Sequence, residues 1–335
     1  MRVRRFLAAG LVAALLFGAS ARGKAEPVTI HAGWLVVPNM IFPLMPLKPE
    51  VLRHYGKSYV LDLIHFTGTP PQITALSAGQ IDLSPLSFSA FALAVTNAHL
   101  GDLRIIADGL QDGAPGWQTN NFLVLKDGPI HKVEDLKGQV VASNAFGGAV
   151  DIGLRVMLRK HGLEDKRDLA MIEVQVPNMK AALAEKKVAL IAPLPPFTND
   201  PELKSISRVL FDQREALGVS QTIILTARTG SLEKSHGAWV DFLEDQLVFL
   251  RWLTDPANHT AAVALAASFN KTTPDKLDWA FTHADSYRDP KGLPDVKALQ
   301  SNLDMMTDLG FAKEHVAVDE YLDLSLVNEA ASRIN

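Results

Sequence analysis

A glycine turn between an apolar run and a helical pattern is the stretch of this sequence best suited to bind a small ligand. Residues 139–143 are mostly apolar, which is typical of a strand covered on both faces. The turn NAFGG (144–148) follows, and apolar residues then recur at helical spacing from Ala149 until Gly162. A helix N-terminus directs free N–H groups and a partial positive charge at whatever occupies such a turn. We therefore predict a strand–turn–helix unit that can hold an anionic or polar group, although an ordinary βα connection has the same pattern.

Residue types that carry covalent or metal chemistry are sparse. The ten histidines lie at least eleven positions apart, so a metal site would have to be assembled from distant segments. The chain has no cysteine, which excludes disulfides, thiolate metal sites, cysteine nucleophiles and a lipid anchor on cysteine. It also lacks the nucleophile-elbow, dinucleotide-binding and Walker A motifs. We predict no catalytic residue, no metal and no cofactor.

The N-terminus has the features of a secretory signal peptide. Three arginines precede twelve mostly apolar residues (6–17), which are too few to span a membrane stably, and small residues follow. Cleavage after Ala21 or after Ala25 fits, and we favour Ala25; a membrane anchor is the alternative reading. Removing residues 1–25 changes the net charge from −4 to −9. So acidic a chain is a poor nucleic-acid binder, and we expect a soluble periplasmic protein without nucleic-acid partners.

Strand and helix patterns alternate along the first two thirds of the chain, which predicts α/β lobes with largely parallel sheets. A Gly/Pro/Asp-rich break at 109–116 marks the first crossover between lobes, and a strand at 222–227 precedes the return. The remainder reads as helices packing on the first lobe. We predict a signal peptide (1–25), a first lobe (26–117 and 229–335) and a second lobe (118–228).

Two segments echo each other, one in each predicted lobe. QITALSAGQIDLSPLSFSAF (72–91) and MKAALAEKKVALIAPLPPF (179–197) both read as a helix, a tight turn, a short strand and a proline-bearing loop. The echo is weak as a sequence repeat, but it fits two related α/β lobes.

Three stretches resemble a known family. They are TALSAGQIDLSPLSFSAFALA, VLKDGPIHKVEDLKGQVVASNAFGGAVDIGLRVMLRKHGL and LGFAKEHVAVDEYLDLSLVNEA. Together with the order of elements, they resemble the periplasmic substrate-binding proteins of ABC importers of the nitrate, sulfonate and taurine type. That broader group includes the pyrimidine-precursor proteins of thiamine synthesis. The resemblance implies a type II periplasmic-binding-protein fold, in which two α/β lobes joined by two crossovers close on a small molecule.

The resemblance also implies which residues bind the ligand, because strand ends and helix N-termini face the cleft in this family. Carried over by position, the ligand-binding residues are Trp34, Asn39, Ser84, Ser87, Gln118, Thr119, Phe146, Gly147, Gly148 and Phe197. The sequence departs from the family where Lys186-Lys187-Val188-Ala189 replaces a common glycine and aspartate. It departs again where Leu194-Pro195-Pro196 replaces a Trp-Asp-Pro.

The composition of these loops indicates the ligand. None of the candidate loops (33–39, 84–89, 113–121, 143–149 and 193–199) contains Lys, Arg or His, so an anion would rest on helix N-termini and hydroxyl groups. We predict a small organic ligand with an anionic or polar head near Ser87 or Gly147-Gly148. Its apolar or aromatic body would contact the aromatic residues of these loops, which are Trp34, Phe88, Trp117, Phe146 and Phe197. Packing in the lobe cores explains Phe88 and Phe197 equally well. The nearest cations of the return and tail segments, which we expect at the surface or hinge, are Arg228, His283 and Arg288.

The resemblance implies a monomeric receptor that delivers its ligand to an inner-membrane ABC permease. Two other functions fit the same sequence because a fold does not fix a function. One is a secreted lyase or hydrolase on the same two-lobe scaffold. The other is a ligand-binding partner of a membrane sensor.

Overall fold

The computed structural model describes residues 26–334, so the predicted signal peptide lies outside the described residues. These residues form two five-stranded sheets. No helix in this part of the chain has both the length and the apolar character needed to cross a membrane. The strands are β1 (Val28–Trp34), β2 (Tyr59–His65), β3 (Leu83–Ser87), β4 (Leu103–Asp112), β5 (Asn121–Leu125), β6 (Val140–Ser143), β7 (Ala170–Glu173), β8 (Leu190–Ile191), β9 (Ser207–Asp212) and β10 (Ser220–Arg228).

The two sheets have the same topology. The first has the order β2-β1-β3-β10-β4, in which β1 pairs parallel with β2 and β3 while β10 is antiparallel to both its neighbours. The second has the order β7-β6-β8-β5-β9, in which β6 pairs parallel with β7 and β8 while β5 is antiparallel to both its neighbours. The antiparallel strand of each sheet is therefore the first strand after a crossover. Each sheet forms the centre of one lobe.

Helices cover the sheets and fill most of the C-terminal third. They are α1 (Pro70–Ser77), α2 (Phe88–Thr96), α3 (Ala149–Lys160), α4 (Met179–Ala184), α5 (Pro201–Ile206), α6 (Gln213–Leu217), α7 (Thr229–Lys234), α8 (His236–Thr254), α9 (His259–Phe269), α10 (Val296–Asp308) and α11 (Ser325–Ser332). Short 3₁₀ turns lie at Phe42–Leu47, Pro49–Val51, Val133–Leu136, Val176–Asn178, Phe197–Asn199, Pro256–Asn258, Pro274–Leu277 and Val318–Tyr321.

The long helix α8 shows why the tail belongs to the first lobe. Its side chains Trp239, Phe242 and Phe249 are fully buried in the apolar cluster that also contains Ile30 and Ala32 of β1. Burial of one such side chain contributes roughly 1.5–3 kcal/mol. Helix α8 thus packs on the first sheet.

The echo between the two lobes is structural. The strands β3 and β8 hold equivalent places in the two sheets, and α1 and α4 precede them. The turn after α1 has Gly79 at φ +66°, and the turn after α4 has Lys186 at φ +57°. Both residues donate a backbone hydrogen bond to a helix leucine carbonyl, at 3.1 and 3.0 Å. The departure from the family pattern at residues 186–189 therefore keeps the backbone conformation of the turn and changes only the side chain.

The positions of the crossovers differ from the prediction. Residues 109–112 belong to β4, so the chain leaves the first sheet only after Asp112. It returns between Asp212 and Ser220, which places β10 in the first sheet although the predicted boundary lay after residue 228. The strand β9, which precedes the return, was not predicted.

The lobes touch along one side of the cleft. Helix α3 of the second lobe buries Ala149, Ile152 and Val156 in one apolar cluster with Phe88 and Phe91 of α2. The loops approach just as closely, since a Cβ built on Gly68 would lie 2.5 Å from the Cβ of Ala145.

A second interlobe contact lies at the far end of the same helix. The guanidinium of Arg159 on α3 donates to the carbonyl of Leu309 and stacks 4.1 Å from the ring centroid of Phe311. The lobes are therefore in contact at both ends of α3, which closes one side of the cleft.

Candidate functional site

The first wall of the cleft is the N-terminus of α2, where three hydroxyl groups meet. The Ser87 Oγ accepts the N–H of Ala90 at 3.1 Å and lies 2.9 Å from Thr69 Oγ1 and 3.0 Å from Ser89 Oγ. These groups are buried. The serine thus caps its own helix, and its hydroxyl is already engaged by protein groups.

The second wall is the N-terminus of α3, which has no side-chain cap. The turn prediction is confirmed: Gly147 has φ +77°, Gly148 is the residue before the helix, and Gly162 ends the segment at φ +73°. Gly147 donates its N–H to Asp151 Oδ2 at 2.9 Å, and that carboxylate also pairs with Arg155 at 3.0 Å. Burial raises the pKa of Asp151 despite this arginine. The first N–H groups of the helix face the cleft without a protein acceptor from a cap, as in anion- and carbonyl-binding sites.

The floor of the cleft is made by the two crossovers. The Asp112 carboxylate accepts from Thr119 Oγ1 at 2.5 Å and from the Asn120 N–H at 2.9 Å. The Gln213 N–H donates to the Asn120 carbonyl at 2.8 Å, which fixes the two crossovers side by side. Burial raises the pKa of Asp112 to about 6, with the two hydrogen bonds opposing the shift.

Two amide side chains on this floor are unpaired within the described part of the chain. Asn120 is 7% exposed and Gln213 is 0% exposed, and the nitrogen and oxygen of both amides lack a hydrogen-bond partner among the described residues. On the first wall, Asn39 Oδ1 is in the same condition. Buried amides left unpaired are uncommon and require an explanation, such as water or a ligand.

These three surfaces enclose an inner chamber between the lobes that is partly open to solvent. Its walls combine aliphatic side chains with amides and hydroxyls, and among residues 26–334 no Lys, Arg or His lines it. The inner chamber is lined by Leu35, Val36, Asn39, Met40, Thr69, Ser87, Leu110, Asp112, Gln118, Thr119, Asn120, Asn144, Ala145, Gly148, Ala149, Val150, Leu194, Pro195, Gln213, Thr222, Ile223 and Ser286.

An outer chamber adjoins the inner one and is mostly apolar. The two share Leu35, Val36 and Leu194, which stand between them. The outer chamber is lined by both lobes, and its other residues are Trp34, Val37, His65, Phe66, Thr67, Gln175, Val176, Pro177, Pro196, Phe197 and Asn270.

The ten residues carried over by the resemblance fall into three groups. Asn39, Ser87, Gln118, Thr119 and Gly148 line the inner chamber. Trp34 and Phe197 line the outer chamber.

The other three of the ten residues line neither chamber. Ser84 is fully buried and donates to Gln72 Oε1 at 3.0 Å, beneath the floor. Phe146 is 40% exposed, with its ring 5.4 Å from the Arg155 guanidinium. The N–H of Gly147 is used within its own turn.

Other aromatic residues considered for the ligand are engaged in packing. Phe88 is 0% exposed and belongs to the lobe core. The Trp117 ring lies 4.4 Å from the His283 ring. Of the five aromatic residues, Trp34 and Phe197 line a chamber, and it is the outer one.

Three floor residues, Asp112, Asn120 and Gln213, are not among the ten. Asp112 and Gln213 carry no local motif that indicates a binding role. Asn120 directly follows the predicted pair Gln118 and Thr119, which is the one sequence signal that could have found it.

The nearby cations do not enter the chamber. Arg228 pairs with Asp102 at 2.9 Å. Arg288 is buried, contrary to the surface or hinge position expected for it: its side chain is 6% exposed and pairs with Asp285 at 3.3 Å. It donates to the carbonyls of Pro38 and Asn39 at 2.8 and 3.0 Å, so it holds the loop that carries Asn39.

One cluster of metal-ligating types lies on the first lobe. Ligand atoms of His54, Asp241 and Glu244 lie within 4.8 Å of one another. Arg53 already pairs with Glu244 and Arg333 with Asp241, each at 2.8 Å. Two guanidinium groups beside the carboxylates oppose a bound cation, so we interpret the cluster as an ion-pair network that fastens the C-terminal helix.

Comparison with known proteins agrees with this architecture. The family described as NMT1/THI5 like matches residues 116–244. None of the curated proteins matches the sequence.

Among solved structures, the chain resembles the alkanesulfonate-binding protein SsuA of Xanthomonas axonopodis pv. citri bound to MOPS, at 19% identity and TM-score 0.70, over 89% of this chain and 99% of that one. It also resembles the periplasmic nitrate-binding protein NrtA of Synechocystis PCC 6803, at 13% identity and TM-score 0.72, over 92% and 90%. The desulfurization enzyme DSZB is similar as well, at 14% identity and TM-score 0.66, over 92% and 100%.

These likenesses confirm the resemblance predicted from the sequence and the periplasmic-binding-protein fold. The two mixed sheets with their equivalent orders are the two lobes of that fold. At sequence identities of 13% to 19%, this similarity establishes the fold alone. The proteins that share the fold include both binding proteins and an enzyme.

Proposed function

We propose that this chain is a periplasmic solute-binding receptor that captures a small organic molecule and presents it to an inner-membrane ABC permease. The observation that supports this most is the inner chamber, which lies between the two lobes at both crossovers and whose buried amides lack partners among residues 26–334. A site at the seam of two lobes can be opened and closed by hinge motion alone. The sulfonate- and nitrate-binding proteins of the same fold support the same class of function.

The polar head of the ligand would sit in the inner chamber. The uncapped N–H groups at the start of α3 would receive an oxygen of the ligand, while Thr119 and the amides Asn39, Asn120 and Gln213 would bind its other polar atoms. An apolar or aromatic body would extend past Leu35 and Leu194 into the outer chamber. Sulfonate-like, carboxylate and pyrimidine-like compounds share this division into head and body.

Closure would stabilise the bound state because it removes water from around these polar groups. Each hydrogen bond between ligand and protein is then made in a medium of low dielectric constant, where it is stronger than in water. The closed lobes would also present one continuous surface to the permease.

A thermal-shift screen of residues 26–335 tests this function. The panel contains sulfonates, nitrate, aromatic carboxylates, pyrimidines and flavin precursors. A ligand at one hundred times its dissociation constant adds about 2.7 kcal/mol of stability, which gives a clear rise in melting temperature. The bound compound should be recovered chemically unchanged; a compound that is consumed would instead indicate an enzyme, as in the desulfurization enzyme of the same fold.

Aromatic substitutions test the orientation of the ligand. We expect Trp34→Ala and Phe197→Ala to weaken binding of a ligand with an apolar body by about tenfold, because each removes apolar contact worth about 1–2 kcal/mol. Phe146→Ala is the matched control, since its ring lies outside both chambers, and its affinity should equal that of the parent. Equal losses in all three proteins, measured by calorimetry, would contradict the outer chamber as the site of the body.

A further inference from the structure

We infer that the inner chamber selects a neutral ligand that presents N–H donors beside a carbonyl acceptor, as amides, ureas and lactams do. Acceptor-only anions such as sulfonate or nitrate fit it less well. This inference rests on the proposed function and narrows its ligand class.

The first observation is the state of the floor amides. Asn120 and Gln213 are nearly or fully buried, and both ends of each amide lack a partner among the described residues. Whichever way each amide is oriented, its NH2 group, with two donors, and its oxygen, an acceptor, lack a partner among the described residues, and both residues line the chamber. Asn39 Oδ1 adds a third acceptor.

An acceptor-only anion can satisfy the N–H groups of these amides but not their oxygens. When closure expels water, the oxygens of Asn39, Asn120 and Gln213 would be left buried without donors, which is strongly unfavourable. A ligand with adjacent N–H and C=O groups pairs with both ends of a carboxamide at once. Sites built to pair such groups reject analogues that lack them much more strongly than apolar pockets reject a missing methyl group.

The second observation is the charge of the chamber. In the described part of the chain its lining contains one ionisable side chain, Asp112, and no cation. Both carboxylate oxygens of Asp112 already accept hydrogen bonds, from Thr119 and Asn120, and they would repel an anion nearby. The uncapped start of α3 can also bind a carbonyl oxygen, because its free N–H groups donate hydrogen bonds to neutral and charged oxygens alike.

Calorimetric titration with small matched compounds tests this inference. The donor–acceptor set is hydantoin, 2-pyrrolidone and N-methylurea, and the acceptor-only set is methanesulfonate, nitrate and acetate. We expect the tightest member of the first set to bind at least about tenfold more tightly than any member of the second. Tighter binding of methanesulfonate or nitrate would overturn the inference and leave the receptor function standing. No binding by the first set would also overturn it, while the broader thermal-shift panel judges the receptor function separately.

Substitution of one floor amide separates recognition from a structural role. Gln213→Leu removes both unpaired polar atoms at similar volume, so hydantoin affinity should fall by about tenfold or more while the melting temperature without ligand does not fall. Gln246→Leu is the control, because this glutamine of α8 is also buried, at 9% exposure, and lies outside the chamber. A lower melting temperature with unchanged hydantoin affinity in Gln213→Leu would show that the amide only supports the fold.

Discussion

At the scale of single residues, Asp112 combines two tasks that oppose each other. Its carboxylate orders the first crossover by accepting from Thr119 and from the Asn120 N–H. The same position is 5% exposed, and burial raises its pKa from 3.8 to about 6. The folded protein therefore holds a proton on this carboxyl over a pH range in which the unfolded chain has lost it.

Asp112→Asn tests this conflict through the pH dependence of stability. A carboxyl whose pKa is raised by folding lowers the free energy of unfolding as the pH rises from about 4 to about 6, by roughly 3 kcal/mol. The variant should lack this decrease, so its stability curve between pH 4 and 8 should be flatter, as measured by urea unfolding.

Asp108 provides the comparison for that measurement. It is buried outside the chamber, and burial raises its pKa to about 7. In the parent, Asp108 should lower the free energy of unfolding as the pH rises to about 7, and Asp108→Asn should remove this decrease. If the Asp112→Asn curve has the same slope as the parent, Asp112 is ionised in the folded state at pH 4, contrary to this account.

The residue scale also shows how far the sequence could predict the site. The glycine turn and Gln118–Thr119 are local features, and the pattern of the chain predicted where they lie. Gln213 lies far along the sequence from Asn120, and only the pairing of β5 with β9 brings them together. That pairing depends on a strand whose own residues gave no clear signal, so the floor of the site could not be predicted.

At the scale of elements, the turn between α4 and β8 carries a side chain in a conformation that suits glycine. Lys186 has φ +57°, and the equivalent residue of the first lobe is Gly79 at φ +66°. A non-glycine residue in this region costs roughly 1–2 kcal/mol. The family pattern has glycine there, so the second lobe is less stable at this turn than it could be.

Lys186→Gly should therefore stabilise the second lobe. We expect an increase of about 0.5–1 kcal/mol, since relief of the backbone conformation exceeds the additional freedom that glycine gives the unfolded chain. Lys187→Gly is the matched control, because this residue does not have a positive φ, and it should lower stability by up to about 1 kcal/mol. Urea unfolding measures both, and a loss of stability in Lys186→Gly would refute the argument.

At the scale of the whole molecule, the closed arrangement depends on close approach of the loops. Gly68 of the first lobe faces Ala145 of the second, and both are buried. A Cβ at residue 68 would lie 2.5 Å from the Ala145 Cβ, far inside van der Waals contact. Each lobe alone has room for it, so the cost arises only on closure.

Gly68→Ala should therefore favour the open form. We expect a larger radius of gyration by solution scattering and about tenfold weaker binding of the ligand identified in the thermal-shift screen, with little change in stability. Gly101→Ala is the control because a Cβ there meets nothing within 4 Å. An unchanged radius and affinity in Gly68→Ala would mean that the lobes close without this contact.

The order in which the chain can fold follows from the strand that returns to the first sheet. All strands of the second sheet, from β5 to β9, are contiguous in sequence, whereas β10 lies between β3 and β4 of the first. During synthesis the chain leaves the ribosome N-terminus first. The strand β4 then has no partner in the first sheet until residues 220–228 have been made. The second lobe can thus complete its sheet before the first lobe does. Until β10 is made, the strands of the first sheet lack their full set of partners. Unpaired strand edges favour association with other chains, so this association is most probable during that period.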